Sequence, residues 1–500
     1  MKIFRIIKVI IILVKYLNET LFSKNGMEKN IIAMADALLA RLARGADYAE
    51  VRAESDSNSS FILKNGLLEV SSASSEAGIS ARFIVNGSMV FFSTNNLSSE
   101  NLKELAERGM RQAKRAASLS EKIALSEERP NRAEYSVKEV KKVLDTPQKE
   151  KLSILKQIDS AISGTAGERY LHLHDSVSEK YFANTEGSKI ISKIPRISLY
   201  YNFSVKHLGK NSQRSWLYGS SSGYEIFKKW NLPKKLSEEA NALLKNIQYG
   251  IKPPKKRVDV VCAPEVVGII VHESCGHPSE ADRIMSREAA QAGESFINPE
   301  MLGSRIGTPL VNIADDPTIP NSFGHYLYDD EGVRARRRIL FKNGLINEFL
   351  NNRETAAALS TSSNGAARAV SYDYEPIIRM ANTYFMPGDM SEEELIEGVK
   401  FGIYMKNFME WNIDDLRLNQ KYVGAEAYLI KNGRIVTPVV NPVIETTTPK
   451  LYSSVTGVAN NLEFHAGTCG KGEPMQAIPV WFGGPSIKLS GIRVSRGRAR

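Results

Sequence analysis

At 500 residues the chain exceeds what one hydrophobic core usually organises, so at least two domains are expected. Its composition, 42% hydrophobic and 24% charged, is that of an ordinary globular protein and excludes a disordered chain. The net charge of +10 sits at the two ends: residues 1–26 carry +4 and residues 493–500 another +4, which leaves the body near neutral and without the electrostatic footprint of a nucleic-acid binder.

Residues 3–17 are apolar with interruptions, and their longest unbroken run, Val9 to Val14, is far short of the roughly 20 residues that span a bilayer. No small-residue cleavage site follows at Tyr16–Thr20, so a signal peptide is not indicated. Residues 1–26 read as an extension outside the fold, upstream of a start at Met27, in preference to a short membrane-surface helix or a targeting segment, and Ile31–Leu42 reads as the first helix. The arginines at the far end read as a solvated, frayed tail. Three cysteines, Cys262, Cys275 and Cys469, are too few for a disulfide framework, and a reducing, cytoplasmic setting fits them better.

From Tyr48 to Thr94 apolar and polar residues alternate, and Asn65-Gly66 and Asn86-Gly87 mark type I′ hairpin turns. A helix is predicted from Ser99 to Ser118, with Leu102, Leu105, Ala106, Ala113 and Ala117 on one face. Thr146–Ile162 and Leu236–Ile247 read as helices, His172–Asn184 and Arg196–Val205 as strands. The charged, proline-bearing stretch Gly250–Lys256 marks a boundary between an N-terminal α+β domain, 27–250, and a C-terminal domain, 251–500. The second domain opens with a strand, Arg257–Cys262, and a helix from Pro264, since proline at the first helical position loses no hydrogen bond. Two further hairpins are marked by Asn343-Gly344 and Asn432-Gly433, so this domain is expected to rest on antiparallel sheet. The Ser-, Asn-, Gly- and Ala-rich stretch Ser360–Tyr374 reads as a long loop with little to bury.

The chemistry-bearing motif is His272-Glu273-Ser274-Cys275-Gly276-His277. Two imidazoles flanking a glutamate resemble the zincin arrangement, in which the histidines bind Zn²⁺ and the glutamate is the general base. The spacing departs from it by one residue. Histidines five apart lie roughly 140° out of alignment on an ideal α-helix. A shared metal therefore requires a break or a π-bulge, for which Gly276 and Pro278 supply the means. With seven histidines in the chain, the pattern arises by chance on the order of 0.01 times per chain. The bland alternative is a structural histidine pair near a helix end. A catalytic zinc wants three protein ligands, and Glu280, Asp282 and Cys469 all remain open for the third.

His-Glu-x-x-x-His, the late turn Gly467-Thr468-Cys469-Gly470, Asp329–Gly332 and Arg379–Thr383 together resemble the TldD/PmbA family of metallopeptidases, in particular its motif-bearing branch. The resemblance covers roughly residues 27 to 500, including the strand block Tyr48–Thr94. It implies that His272, His277 and Cys469 bind Zn²⁺, that Glu273 is the base, and that Asp330, Glu331, Arg379 and Asn382 lie in the substrate cleft. Cys275 is expected to face away and His465 to stand behind the ligands or at the surface. The expected activity is cleavage of small or unfolded peptides by a Glu-activated, zinc-polarised water. The expected assembly is a homodimer, or a heterodimer with a motif-less homologue. Strand addition at a sheet edge would suit an extended peptide. The competing readings are a non-catalytic peptide-binding subunit and a zinc amidohydrolase acting on a non-peptide substrate.

Overall fold

A computed structural model describes residues 29–118, 121–288 and 293–496, so the proposed extension 1–26 and the last arginines lie outside the described residues. The fold is α+β. The four Asn-Gly pairs expected to turn hairpins do so with positive φ at both residues, for example 48° at Asn65 and 81° at Gly66. The first two join β1 (Tyr48–Lys64), β2 (Leu67–Val85) and β3 (Ser88–Thr94). Helix Lys29–Leu42 buries Ile31, Ala35, Leu38 and Leu42, and helix Ser99–Ala116 buries Leu102, Ala106 and Ala113. Both pack on Val51, Ala53, Ile79, Ala81 and Phe83 of β1 and β2.

Four more strands complete that sheet: β4 (Arg132–Ser136), β5 (Arg169–Asn184), β6 (Lys189–His207) and β7 (Lys210–Ser220). Among the described residues the order is β3-β2-β1-β5-β6-β4, with β7 also on β6. Strands β4 and β7 share one edge of β6, pairing with its residues 189–193 and 197–207 in turn. Strands of 16 to 19 residues (β2, β5 and β6 among them) are much longer than the sequence pattern suggests. Helices Gln148–Ile162 and Leu232–Tyr249 cover part of this sheet with Leu155, Ile158, Leu236 and Leu243.

After Gly250 the chain enters β8 (Arg257–Cys262) and then a helix, Pro264–Val271, in which every residue is buried. A helix apolar all round belongs at the centre of a core. The following strands are β9 (Ile313–Asp315), β10 (Arg338–Lys342), β11 (Leu345–Ile346), β12 (Ala367–Arg368), β13 (Ile377–Ile378) and β14 (Asn382–Phe385). Next come β15 (Phe401–Met405), β16 (Phe408–Ile413), β17 (Asn419–Gly424), β18 (Ala427–Lys431), β19 (Arg434–Pro438) and β20 (Pro442–Thr447). The last are β21 (Val455–Val458), β22 (Glu463–Lys471), β23 (Gln476–Gly484) and β24 (Ile487–Arg496). One sheet runs β11-β10-β9-β14-β23-β22, and a larger one runs β16-β17-β20-β24-β8-β15-β18-β19 with β21 on β24. Their pairings are antiparallel except β14–β23 and β8–β15. The central helix packs on β14, β22 and β23 of the smaller sheet and on β8 of the larger.

The stretch Ser360–Tyr374 departs from expectation. It contributes β12, and its residues 363–369 are buried rather than loosely solvated. Small side chains let this backbone lie close against the loop at Arg334–Ala335, which the added Cβ of a residue at Gly365 would crowd at 3.1 Å.

Candidate metal centre

The central helix does not continue as an α-helix past Val271. Residues His272–Gly276 form a single π-turn, closed by the N–H of His277 donating to the carbonyl of His272. In an i→i+5 turn each residue advances less far around the axis, so five residues nearly close one revolution. The two imidazoles consequently face each other, with ring centroids 4.9 Å apart. A short 3₁₀ segment, His277–Ser279, follows, with Pro278 at its start ending the ladder of N–H donors. Gly276 has φ −58° and ψ −64°, an ordinary helical conformation. Glycine is needed there for room: a Cβ would stand 1.9 Å from the Met380 sulfur.

Cys469 reaches the same point from β22. Its Sγ is 3.5 Å from His277 Nε2, and ligand atoms of His272, His277 and Cys469 all lie within 4.8 Å of one another. All three side chains are buried. Two imidazoles and a thiol gathered this closely could hold a tetrahedral zinc with one position left over. The surroundings of the sulfur favour its deprotonated, ligating form. Burial raises the Cys469 thiol, but His277, His272 and the buried Arg379 guanidinium outweigh it and draw its pKa well below the usual range. Burial lowers the His272 imidazole, but Cys469, Glu273 and Glu280 together raise it, toward the protonated ring rather than the neutral, ligating one. His272 Nδ1 is buried without a hydrogen-bond partner. His277 Nδ1 is bonded to Glu280 Oε2 at 3.0 Å, which fixes the ring and leaves Nε2 aimed at Cys469.

Glu280 and Asp282 are held elsewhere. Glu280 accepts from Arg283 Nε at 2.7 Å and lies 3.4 Å from Lys471 Nζ. Burial opposes its ionisation, but Lys471, His277 and Arg283 pull its carboxyl well below the usual range. Asp282 takes both oxygens to Lys471, at 2.7 and 2.8 Å. Lys471 is fully buried and also donates to the carbonyl of Ile378. Its place two residues after Cys469 puts both on one face of β22.

Glu273 points to the β16–β17 hairpin. Its Oε1 accepts from Trp411 Nε1 at 3.2 Å and its Oε2 from Arg417 Nη1 at 3.0 Å. Sequence reading missed both partners, since nothing local links them to a residue 138 and 144 positions away. The indole at the exposed end of an edge strand was the available signal.

Of the four residues expected in the cleft, Asp330 lines a cavity. Glu331, Arg379 and Asn382 are buried and hydrogen-bonded to neighbouring groups of the fold. Glu331 pairs with Arg82 at 2.6 Å and accepts from the N–H of Arg353. Arg379 donates to the carbonyls of Gln476 and Cys469, tying the ends of the β22–β23 hairpin to the chain before β14. The Asn382 amide bridges the carbonyl of Asp316 and the hydroxyl of Ser322. Cys275 is buried, outside the gathered group, and burial pushes its thiol up. His465 is half-buried against Trp216 and Phe482, and burial and the Arg214 charge lower its imidazole. The three cysteines are free. Among the described residues no helix is long and apolar enough to cross a membrane.

Three family profiles match in succession: PmbA/TldA metallopeptidase domain 1 over residues 49–113, the central domain over 141–245 and the C-terminal domain over 255–496. A metalloprotease of Methanothermobacter thermautotrophicus is 32% identical over 454 residues, 90% of this chain and 95% of the relative. A zinc metalloprotease TldD homolog of Saccharolobus solfataricus is 31% identical over 323 residues, 64% of this chain and 70% of its own. The solved structure of TldE from Thermococcus kodakarensis shares the fold with a TM-score of 0.70 at 16% identity, covering 92% of this chain and 100% of that one.

Proposed function

The chain belongs to the TldD/PmbA family of metallopeptidases, and we propose that it is a zinc-dependent peptidase that cleaves small or unfolded peptides, with His272, His277 and Cys469 holding the ion and Glu273 acting as the base. One observation carries the reading: a π-turn and a distant strand bring two imidazoles and a thiol within 4.8 Å. Zinc held by these residues would lower the pKa of a bound water toward roughly 7 and polarise a carbonyl oxygen.

The chain's own residues do the rest. Glu273 receives a proton and returns it to the leaving amine. Trp411 and Arg417 hold both its oxygens, so its orientation is fixed before substrate arrives. Glu280 keeps the His277 ring in one tautomer and one orientation. A thiolate donates more electron density to the ion than a third imidazole would, which suits slow turnover.

Strand β16 supports the choice of substrate. It ends the larger sheet, its residues 409–412 are exposed, and its Trp411 touches Glu273. An extended peptide adding itself along that edge through main-chain hydrogen bonds would lie beside the base. Such binding reads backbone rather than side chains and demands an unstructured substrate. Assembly as a dimer, with a second copy or with a motif-less relative, and a reducing cytoplasmic setting suited to three free cysteines belong to the same reading.

Metal analysis and a peptide-cleavage assay test it together. Wild type should carry stoichiometric zinc and cleave an unstructured peptide, His272→Ala should lose both, and Glu273→Ala should keep the zinc and lose cleavage. Wild type without stoichiometric zinc, or Glu273→Ala with full activity, would overturn the assignment.

A further inference from the structure

A cavity of about 410 Å³ lies on the reverse face of the β22–β23 hairpin from the metal centre. Thr468 lines it while its neighbour Cys469 turns to the histidines, as alternation along a strand requires. The opposite wall is the long sheet formed by β1, β5 and β6. The volume falls in the range of small-molecule sites. Nothing in the peptidase mechanism uses it.

The charges in this cavity are unevenly matched. Glu54 and Asp56 stand two apart on one face of β1, and Asp330 faces them from the loop before Glu331. Lys180 lies 3.3 Å from both Glu54 and Asp330, longer than the 2.7–2.9 Å of a tight charge-assisted contact, while Ser178 Oγ donates to Glu54 Oε1 at 3.2 Å and the N–H of Ala369 to Asp330 Oδ2 at 2.8 Å. Glu54 is 3% exposed, and its Oε2 meets no N–H or hydroxyl of the protein. Burial pushes its carboxyl up to about 8, and the Asp56 charge adds to this. Glu76, paired in register with Asp56, stands exposed at the rim. The fifth acid, Asp329, is already satisfied by the N–H groups of Glu331, Val333 and Ala367.

Two guanidiniums share the cavity. Arg196 donates to the carbonyls of Phe323 and His325 at 3.3 and 3.4 Å, and Arg368 donates to those of Met380 and Pro479. These bonds to neutral carbonyls leave both charges without a carboxylate in contact. The cavity therefore presents one buried carboxyl oxygen without a protein partner on the β1 side and, beside it, two guanidiniums that no carboxylate touches, although the Asp56 and Glu54 charges act on Arg196. A simple diamine would be attracted by the first and repelled by the second. A zwitterion answers both.

We propose that this cavity is a binding site, separate from the metal centre, for a small zwitterion such as an amino acid or dipeptide, its ammonium on Glu54 and Asp56 and its carboxylate toward Arg196 and Arg368. The site does not depend on the peptidase reading, although short peptides are what such an enzyme releases.

Isothermal titration of the full-length protein with a dipeptide of D-residues, which resists cleavage, tests the assignment. Binding to wild type should weaken at least tenfold in Glu54→Gln and persist in His272→Ala. The N-acetylated dipeptide and 1,4-diaminobutane should bind at least tenfold more weakly than the free dipeptide. If Glu54→Gln does not fold, as judged by circular dichroism, the half-buried Asp56→Asn takes its place. The proposal is overturned by absence of binding to wild type, by equal binding to the variant, or by equal binding of the acetylated peptide or the diamine. Binding lost in His272→Ala but kept in Glu54→Gln would assign the ligand to the metal centre, which sinks this site and leaves the peptidase reading standing.

Discussion

Substituting Gly276 with alanine sets two effects of opposite sign against each other. The residue sits at φ −58° and ψ −64°, where alanine is comfortable, so on backbone entropy alone the change should stabilise by about 0.5–1 kcal/mol. The added Cβ, however, would stand 1.9 Å from Met380 Sδ and 3.2 Å from its Cγ. Met380 is 1% exposed and cannot retreat easily, because the next residue, Ala381, is pinned by its N–H to Asp315 and Arg379 before it is bonded to two carbonyls. Overpacking of this kind costs about 1–3 kcal/mol. The steric term should win, with a net loss of about 0.5–2 kcal/mol. Because the turn that carries the clash also sets the angle between His272 and His277, the same change should weaken zinc binding about two- to thirtyfold. Urea unfolding of the zinc-free protein and zinc competition against a chromophoric chelator read the two effects. Adding Met380→Ala removes the sulfur, so the double variant should be less destabilised than the sum of the singles, with a coupling of about 0.5–3 kcal/mol. A Gly276→Ala protein as stable as wild type, with additive behaviour in the double variant, would refute the argument from space.

Glu280→Ala deletes the acceptor that orients His277 and should reduce zinc affinity about ten- to hundredfold, measured by the same competition; unchanged affinity would mean that the ring is held by packing alone. Arg417→Met leaves Glu273 with Trp411 alone, so kcat for an unstructured peptide should fall while zinc content stays at one per chain, as metal analysis and steady-state kinetics would show. Glu54 has a native carboxyl raised to about 8, above its unfolded value of 4.5, so between those limits the native state holds a proton that the unfolded state has released. Stability should therefore decline as pH rises from 4.5 to 8, and Glu54→Gln should flatten that decline in thermal melts taken across the window. A variant that follows the wild-type slope would place the loss in another group.

Local sequence carried a good deal of this fold. The Asn-Gly pairs located four hairpins because positive φ at two consecutive residues is a property of those residues themselves. Strand Arg257–Cys262 and the helix starting at Pro264 fall where alternation and proline put them. The five-residue spacing of His272 and His277 demanded a non-α turn if the two were to meet, and a π-turn is present. The glycine within it was read for the wrong reason, because sequence shows that a side chain is missing but not what fills the space. Arg379, Asn382 and Glu331, which the sequence offers as cleft residues, show a related effect. Polar residues in a recognisable segment suggest contact with substrate, and in the structure these satisfy buried main-chain groups and a buried arginine.

The third donor could not be chosen from spacing, and the structure shows why the nearby acids were poor guides. Once the π-turn has been spent on aligning two histidines and Pro278 has ended the ladder, no further turn of the same helix remains to present another side chain to that point. The donor must come from another element, and β22 supplies it. Alternation puts Cys469 and Lys471 on one face of that strand, Cys469 against His277 and Lys471 against Glu280 and Asp282. The two carboxylates that looked like zincin-type donors thus form the other half of a clamp: their ion pairs with Lys471 hold β22 against the helix end at the height where the sulfur meets the imidazole. Removing Lys471 would leave a fully buried Glu280 with one cation fewer and Asp282 with none of its bidentate contact. The sulfur's position depends on charges that take no part in the donor set.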